Sequence, residues 1–489
     1  MKNRSLHSRY NPLLEAERYI GSLPLNENAR FFVLIEPGDG YMASPLKKKV
    51  PGAKIIALHV EKPEGARHGN VDTEWFPETG ISIQDFLERE IPDSEAAEIQ
   101  LLEWRPAMAV YGQAYLDLVE ETVNFIKRVD ANARTVKTFG PRWFRNFFKN
   151  LGIISKILLP APITCPLLVT GAGPGLETAI PVIRKAREKL FILAASSSAA
   201  ALKAGNLIPD MVIGTDGSPW AKYHLYELFR DPGSFACPLV LALTAALPSQ
   251  AKELPALLIS DGSLWQTLIL SGLEIPFIVL PQRGTVSATA LDLAFALTEG
   301  EVYLAGMDLG NRDIRSHARP YSFDVFIEEK AGRFAPVYSQ TYRRSSQLKA
   351  GGSYGIYASW FEKQLGSYPK RLHSMGGNNP VFDSIETPSP FFTTEDTENN
   401  KPRRTQRNTE ENNHGVTRRK TRSYTEENIS DNPRRALAIL ERALENPDLS
   451  SKLEGELKTL LFRSADVSRQ ELIDAVYSLA GFNRGGNNA

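Results

Sequence analysis

The chain has 489 residues, 42% hydrophobic and 23% charged, which suits two or three globular domains and excludes a wholly disordered or fibrous chain. Its 57 Lys and Arg balance 57 Asp and Glu, so no global field draws it to nucleic acid or an anionic membrane. Cys165 and Cys237, the only cysteines, give neither a metal-ligand spacing nor a disulfide framework and predict a reducing, cytoplasmic setting.

The opening MKNRSLHSRYNPLLEAERYI lacks the apolar stretch of a signal peptide, and FACPLVLALTAALP, the most apolar window, is too short to span a bilayer. Residues 1–155 read as an N-terminal α/β domain. Phe32–Ile35 and Ile55–Val60 are predicted buried strands flanking a helix-like stretch, a βαβ pattern. A third apolar run, AMAVYG at 107–112, precedes the helical pattern YLDLVEETVNFIKRV. In GPRWFRNFFKNL (140–151), Trp143, Phe144, Phe147 and Phe148 recur at helical spacing, the mark of a packed amphipathic helix.

Residues 156–390 form a central domain in which strand and helix signals alternate. Strands are predicted at Leu167–Thr170, Leu190–Ala194, Met211–Thr215, Leu239–Thr244, Leu257–Ser260, Phe277–Leu280 and Val302–Ala305. Apolar strands alternating with helices predict the α/β class, with a mostly parallel sheet covered on both faces. Residues 391–430 are a charged linker: 393–428 holds almost no apolar residue and half-repeats itself, so disorder is expected. Residues 431–489 carry two helical patterns and read as a small helical unit.

The motif that points to chemistry is LLVTGAGPGLETAI, residues 167–180: an apolar strand, a turn with Gly171, Gly173, Pro174 and Gly175, then a helix. Such a turn can present backbone N–H groups to a phosphate. The dinucleotide fingerprint fails, because Leu176 holds the third glycine position and the next strand ends in Ser196–Ser198 rather than an acid. No Gly-Lys pair exists for a P-loop, and GGSYG (351–355) lacks the apolar strand of a hydrolase elbow and reads as a loop. Asp216, just past the strand in IPDMVIGTDGS, projects to the same sheet edge, either to hold a divalent metal or ribose, or as a cap for the following helix. Gly284 and Thr285 in PQRGTVSATALDLAF precede another helix and can face an anion. Gly306, Asp308 and His317 follow the last strand, and an unperturbed histidine there suits acid–base work.

GAGPGLE, IPDMVIGTD, RGTVSATALDLA and YLAGMDLG, in that order and spacing, resemble the family that joins the bacterial motility accessory factors (Maf flagellin glycosyltransferases) to the archaeal 6-hydroxymethylpterin diphosphokinase MptE. FVLIEPGDGY and WFRNFFKN resemble the N-terminal part of the Maf branch. The resemblance implies a Rossmann-like, sialyltransferase-like fold. It also implies transfer of a nonulosonic acid (pseudaminic or legionaminic type) from a cytidine-monophosphate donor to a protein such as flagellin. Gly171, Gly173 and Pro174 would then line the nucleotide phosphate, Asp216 and Gly284 would belong to the donor pocket, and Asp308 with His317 to the reacting edge. Two positions depart from the family pattern: Gly175 stands where serine is usual and Arg283 where a second glycine is usual. The alternatives are a diphosphokinase using ATP, with Mg²⁺ held by aspartates, and a non-catalytic flagellin-binding factor. Beyond the nucleotide-activated sugar and Mg²⁺, no cofactor is expected.

Overall fold

The computed structural model describes residues 6–483 except 27–28, 64–69, 92–97, 230–236, 282, 351–353, 355–356, 359–360, 362–369, 376–420, 424–425 and 462–466. Its contacts define two units, residues 1–140 with 455–466 and residues 141–454 with 467–489. No described helix is long and apolar enough to cross a membrane.

The first unit holds a parallel four-stranded sheet built from β1 (Phe31–Ile35), β2 (Lys54–Leu58), β3 (Thr73–Trp75) and β4 (Ile99–Glu103), in the order β3-β2-β1-β4. β1 is buried along its whole length, as a central parallel strand must be when helices cover both faces. β3 and β4 escape the apolar-run reading because one is three residues long and the other carries Gln100 and Glu103 among its apolar residues. The apolar run AMAVYG lies in helical turns over Arg105–Ala107 and Met108–Tyr111, with Met108 and Val110 exposed.

The second unit is built on a ten-stranded sheet. It comprises β5 (Lys156–Leu158), β6 (Leu167–Thr170), β7 (Phe191–Ala195), β8 (Met211–Gly214), β9 (Leu239–Ala242), β10 (Ala256–Ser260), β11 (Ile278–Val279), β12 (Val302–Ala305), β13 (Leu372–Ser374) and β14 (Thr421–Ser423). The order is β13-β12-β6-β7-β8-β9-β10-β5-β14, with β11 also on β10. Every pairing is parallel except that of β14 on β5. The α/β class and the parallel core are as expected, and all seven strands read from the sequence form, most shifted or shortened by one or two residues at their ends. The helix Val286–Leu297 buries seven residues, among them Leu291, Leu293 and Leu297, which join Val169, Leu193 and Ile213 in one core.

In the aromatic helix end, Phe144, Phe147 and Phe148 are buried and Phe147 lies edge-on to Trp265 at 4.8 Å. Asn150 donates from one amide nitrogen to the carbonyls of Leu243 (2.7 Å) and Ala245 (2.8 Å), and Asn146 donates to those of Gly217 and Thr244. These amides pin the loops after β8 and β9 to the helix. Most of the charged segment lies outside the described residues, as does GGSYG apart from Tyr354. The end of the expected linker is ordered: Thr421–Ser423 is a strand and a helix begins at Glu426, because β5 offers an open edge to pair. That helix, Glu426–Glu445, packs on the helix Leu264–Gly272, where Ile439 fills the space above Gly272.

Candidate functional site

Strands β6, β7, β8, β9 and β10 follow one another to one side, and β12 returns on the other side of β6. That reversal is a topological switch point, and the crevice where α/β sheets bind ligands opens between the loops after β6 and β12. In this chain those loops close on each other. Gly171 N–H donates to Ala305 O and Gly173 N–H to Gly306 O, both at 2.8 Å. The carboxylate of Asp308, 1% exposed, accepts from Gly175 N–H with both oxygens at 2.9 Å. Asp308 therefore supplies the negative charge that the N-terminus of the helix Leu176–Ala186 favours. A protein carboxylate sits where the sequence placed a phosphate.

The glycines have a packing reason as well. A Cβ at Gly173 would lie 2.1 Å from Asp308 Oδ2 and 2.8 Å from Gly306 O, and one at Gly175 would lie 2.7 Å from Asp308 Oδ1. Neither separation is physical, so the loop after β6 needs residues without side chains at both positions.

The loop carrying His317 folds over the same helix end. Ala318 N–H donates to Ala172 O at 2.8 Å, while Glu177 pairs with Arg315 at 2.9 Å and accepts from Arg319 N–H. His317 is half-buried and stacks on Tyr321 with centroids 4.0 Å apart, and its Nδ1 lies 2.8 Å from Ser316 Oγ. Burial, the Arg344 guanidinium and His224 push its pKa down to about 3. The expected near-neutral titration is thus corrected: at neutral pH the ring is neutral, free to accept a proton but weakly basic. His224, 9% exposed and set against Phe323 at 4.5 Å, is lowered to about 4 by burial and by Arg344.

The structure thus brings together Gly171–Gly175, Asp308 and His317. Asp216 is exposed. Its Oδ1 accepts from Ser218 N–H at 2.7 Å, closing a turn two residues on, and the helix starts only at Lys222, so Asp216 does not cap it. It lies near Tyr357, whose hydroxyl pKa is raised by burial and by the Asp216 charge. Among the described residues no group of three His, Cys, Asp or Glu is placed to hold a metal. Gly284 (φ +71°) has open space above it, and Thr285 begins the helix Val286–Leu297 without a side-chain cap. Arg283 is committed to Asp292 at 2.5 Å.

Sequence reasoning missed Glu177, His224, Tyr321 and Arg344, and a cleft of about 790 Å³ lined by Tyr223, Tyr226, Phe229, Gln250, Arg319 and Tyr321. Trp220, 59% exposed, stacks on Tyr223 at 6.0 Å and meets Phe326 edge-on. The cluster of aromatic letters in SPWAKYHLYELF and YSFDVF was its one signal in the sequence.

Residues 142–313 match the family described as 6-hydroxymethylpterin diphosphokinase MptE-like. An uncharacterized protein of Treponema pallidum (strain Nichols) is 29% identical over 289 residues, 58% of this chain. The chain spans 61% of that relative's length. A solved MAf glycosyltransferase from Magnetospirillum magneticum AMB-1 aligns over 97% of this chain and 78% of its own, with 12% identity and a TM-score of 0.46.

Proposed function

We propose, from the premise that residues 142–313 are a domain of the MptE-like family, that the chain is a glycosyltransferase acting on a protein acceptor such as flagellin. The donor is a nonulosonic acid activated as its cytidine monophosphate. The observation that carries this reading is the aromatic cleft of about 790 Å³, which shares Arg319 and Tyr321 with the wall around His317. Aromatic side chains beside amide, hydroxyl and carboxylate groups match the mixed apolar and polar surface of a sugar ring, and the volume is that of a small-molecule site.

In the proposed reaction His317 is the base. With Nδ1–H donating to Ser316 Oγ, Nε2 carries the lone pair that takes the acceptor hydroxyl proton. The acceptor oxygen bonds to the anomeric carbon as the bond to the phosphate oxygen breaks, and cytidine monophosphate leaves. Gly284 and the uncapped first turn after Thr285 are assigned to the donor phosphate, since Gly175 N–H already serves Asp308. Asp308 accordingly positions the two loops. Asp216 stays with the donor pocket, and no step is routed through Mg²⁺.

Intact-mass analysis of flagellin from a deletion strain tests the reading; an unchanged mass refutes it. A second reading, diphosphoryl transfer from ATP to a small alcohol, is favoured by the description of the matched family. Thermal-shift measurements separate the two. A ligand at 100 times its dissociation constant adds about 2.7 kcal/mol, and stabilisation by ATP–Mg²⁺ but not by cytidine nucleotides selects the kinase.

A further inference from the structure

Arg344 lies on the helix Val337–Ala350, its guanidinium over the rings of Tyr321 (5.1 Å) and Phe323 (5.2 Å). It lines a small cavity with Ser316, His317, Tyr321, Asp324 and Thr341. The other charges there are spoken for. Arg315 pairs with Glu177, while Asp324 accepts from Tyr321 N–H and stands 3.8 Å from Arg319. Arg344 hydrogen-bonds to the Tyr321 side chain, and among the described residues no carboxylate pairs with it, so its positive charge is uncompensated among them. A second observation points the same way: Thr341, which lines the same cavity, is 8% exposed, and its hydroxyl has no hydrogen-bond partner among the described residues. An unanswered buried hydroxyl beside a half-buried guanidinium that no described carboxylate answers is a setting an anion would satisfy.

We infer that Arg344 and Thr341 form an oxyanion site that recognises the phosphate or carboxylate of a substrate. The rest of that substrate lies in the aromatic cleft, because Arg319, Tyr321 and Asp324 line both spaces. Guanidinium recognition of either group is charge-assisted and bidentate, and the two ring faces fix the plane of the fork. Recognition is coupled to chemistry. The field of Arg344 helps hold His317 and His224 deprotonated, so an anion seated on Arg344 cancels that field and makes His317 a stronger base when substrate is present. The identity of the anion's bearer as a substrate rests on the proposed function; the anion site itself does not.

The test follows the imidazole C–H signals of the full chain by NMR during titration with inorganic phosphate and, separately, with free N-acetylneuraminate. Saturable shifts at His317 are expected with at least one anion; phosphate alone assigns the site to a phosphate, the sugar acid alone to a carboxylate. Arg344→Gln should weaken that binding by about tenfold or more. If that variant does not fold, Thr341→Val, which removes only the hydroxyl, must weaken it instead. No saturation with either anion, or binding by Arg344→Gln within about twofold of the parent chain, overturns the inference. Intact anion binding in a chain that transfers no sugar refutes the glycosyltransferase reading alone.

Discussion

Gly175→Ala is the substitution whose outcome the switch-point geometry fixes most tightly. Gly175 has φ −62° and ψ −20°, so its backbone suits alanine and no conformational strain arises. The three atoms nearest the new methyl would all belong to the Asp308 carboxyl group, at 2.7, 3.0 and 3.2 Å. Since that carboxylate is held by Gly175 N–H itself, it cannot retreat without lengthening both 2.9 Å contacts. Overpacking of this kind costs about 1–3 kcal/mol, and losing a hydrogen bond to a buried charge costs about 1.5–3. In the Asp308→Ala background the obstacle is gone, and Gly175→Ala should be neutral or stabilise by about 0.4–1 kcal/mol through the unfolded chain. The coupling energy expected from the double-mutant cycle is therefore about 2–3 kcal/mol. Gly173→Ala is the internal control, because its methyl would also lie 2.8 Å from the backbone oxygen of Gly306, which removal of Asp308 does not move. Urea denaturation of the four proteins, followed through the unfolding of the second unit, measures the cycle. An equal cost for Gly175→Ala in both backgrounds refutes the claim that Asp308 dictates the glycine.

Asn150→Ala leaves the carbonyls of Leu243 and Ala245 without their donor in a buried setting and should cost about 2–4 kcal/mol, read by the same denaturation; a loss under about 0.5 contradicts the pinning role. His224, folded-state pKa about 4 against about 6.5 unfolded, binds its proton more readily when unfolded. Stability should therefore fall as pH drops from about 6.5 toward 4, and His224→Phe should flatten that slope by about 1.4 kcal/mol per pH unit; an unchanged slope rules His224 out as its source. His317→Ala should lower turnover by about 10²–10⁴-fold with donor affinity preserved, and full activity would dismiss the base assignment.

The central sheet is legible because β6 to β10 and β12 are largely apolar runs, the pattern forced on strands buried on both faces. β13 and β14 give no such signal: LHS and TRS are short and polar, and pairing alone makes them strands. The site was half visible. Gly171–Gly175, Asp308 and His317 stand out as turn formers and titratable groups at strand ends. That Asp308 reaches back across 133 residues to Gly175 is a long-range contact no local pattern encodes. Arg344 is hidden for a related reason: VYSQTYRRSSQLKA is polar nearly all round, and which of its cations faces aromatic rings depends on the loop it packs against.

β13 and β14 occupy opposite margins of the nine-strand path, eight strand intervals apart. At about 4.8 Å per interval, the covalent connection from Ser374 to Thr421 must bridge roughly 40 Å. A fully extended chain covers that distance in about a dozen residues, far fewer than the stretch from 375 to 420 provides. Each margin is therefore set by its own neighbour, β13 by its register on β12 and β14 by its register on β5, and neither strand fixes the place of the other.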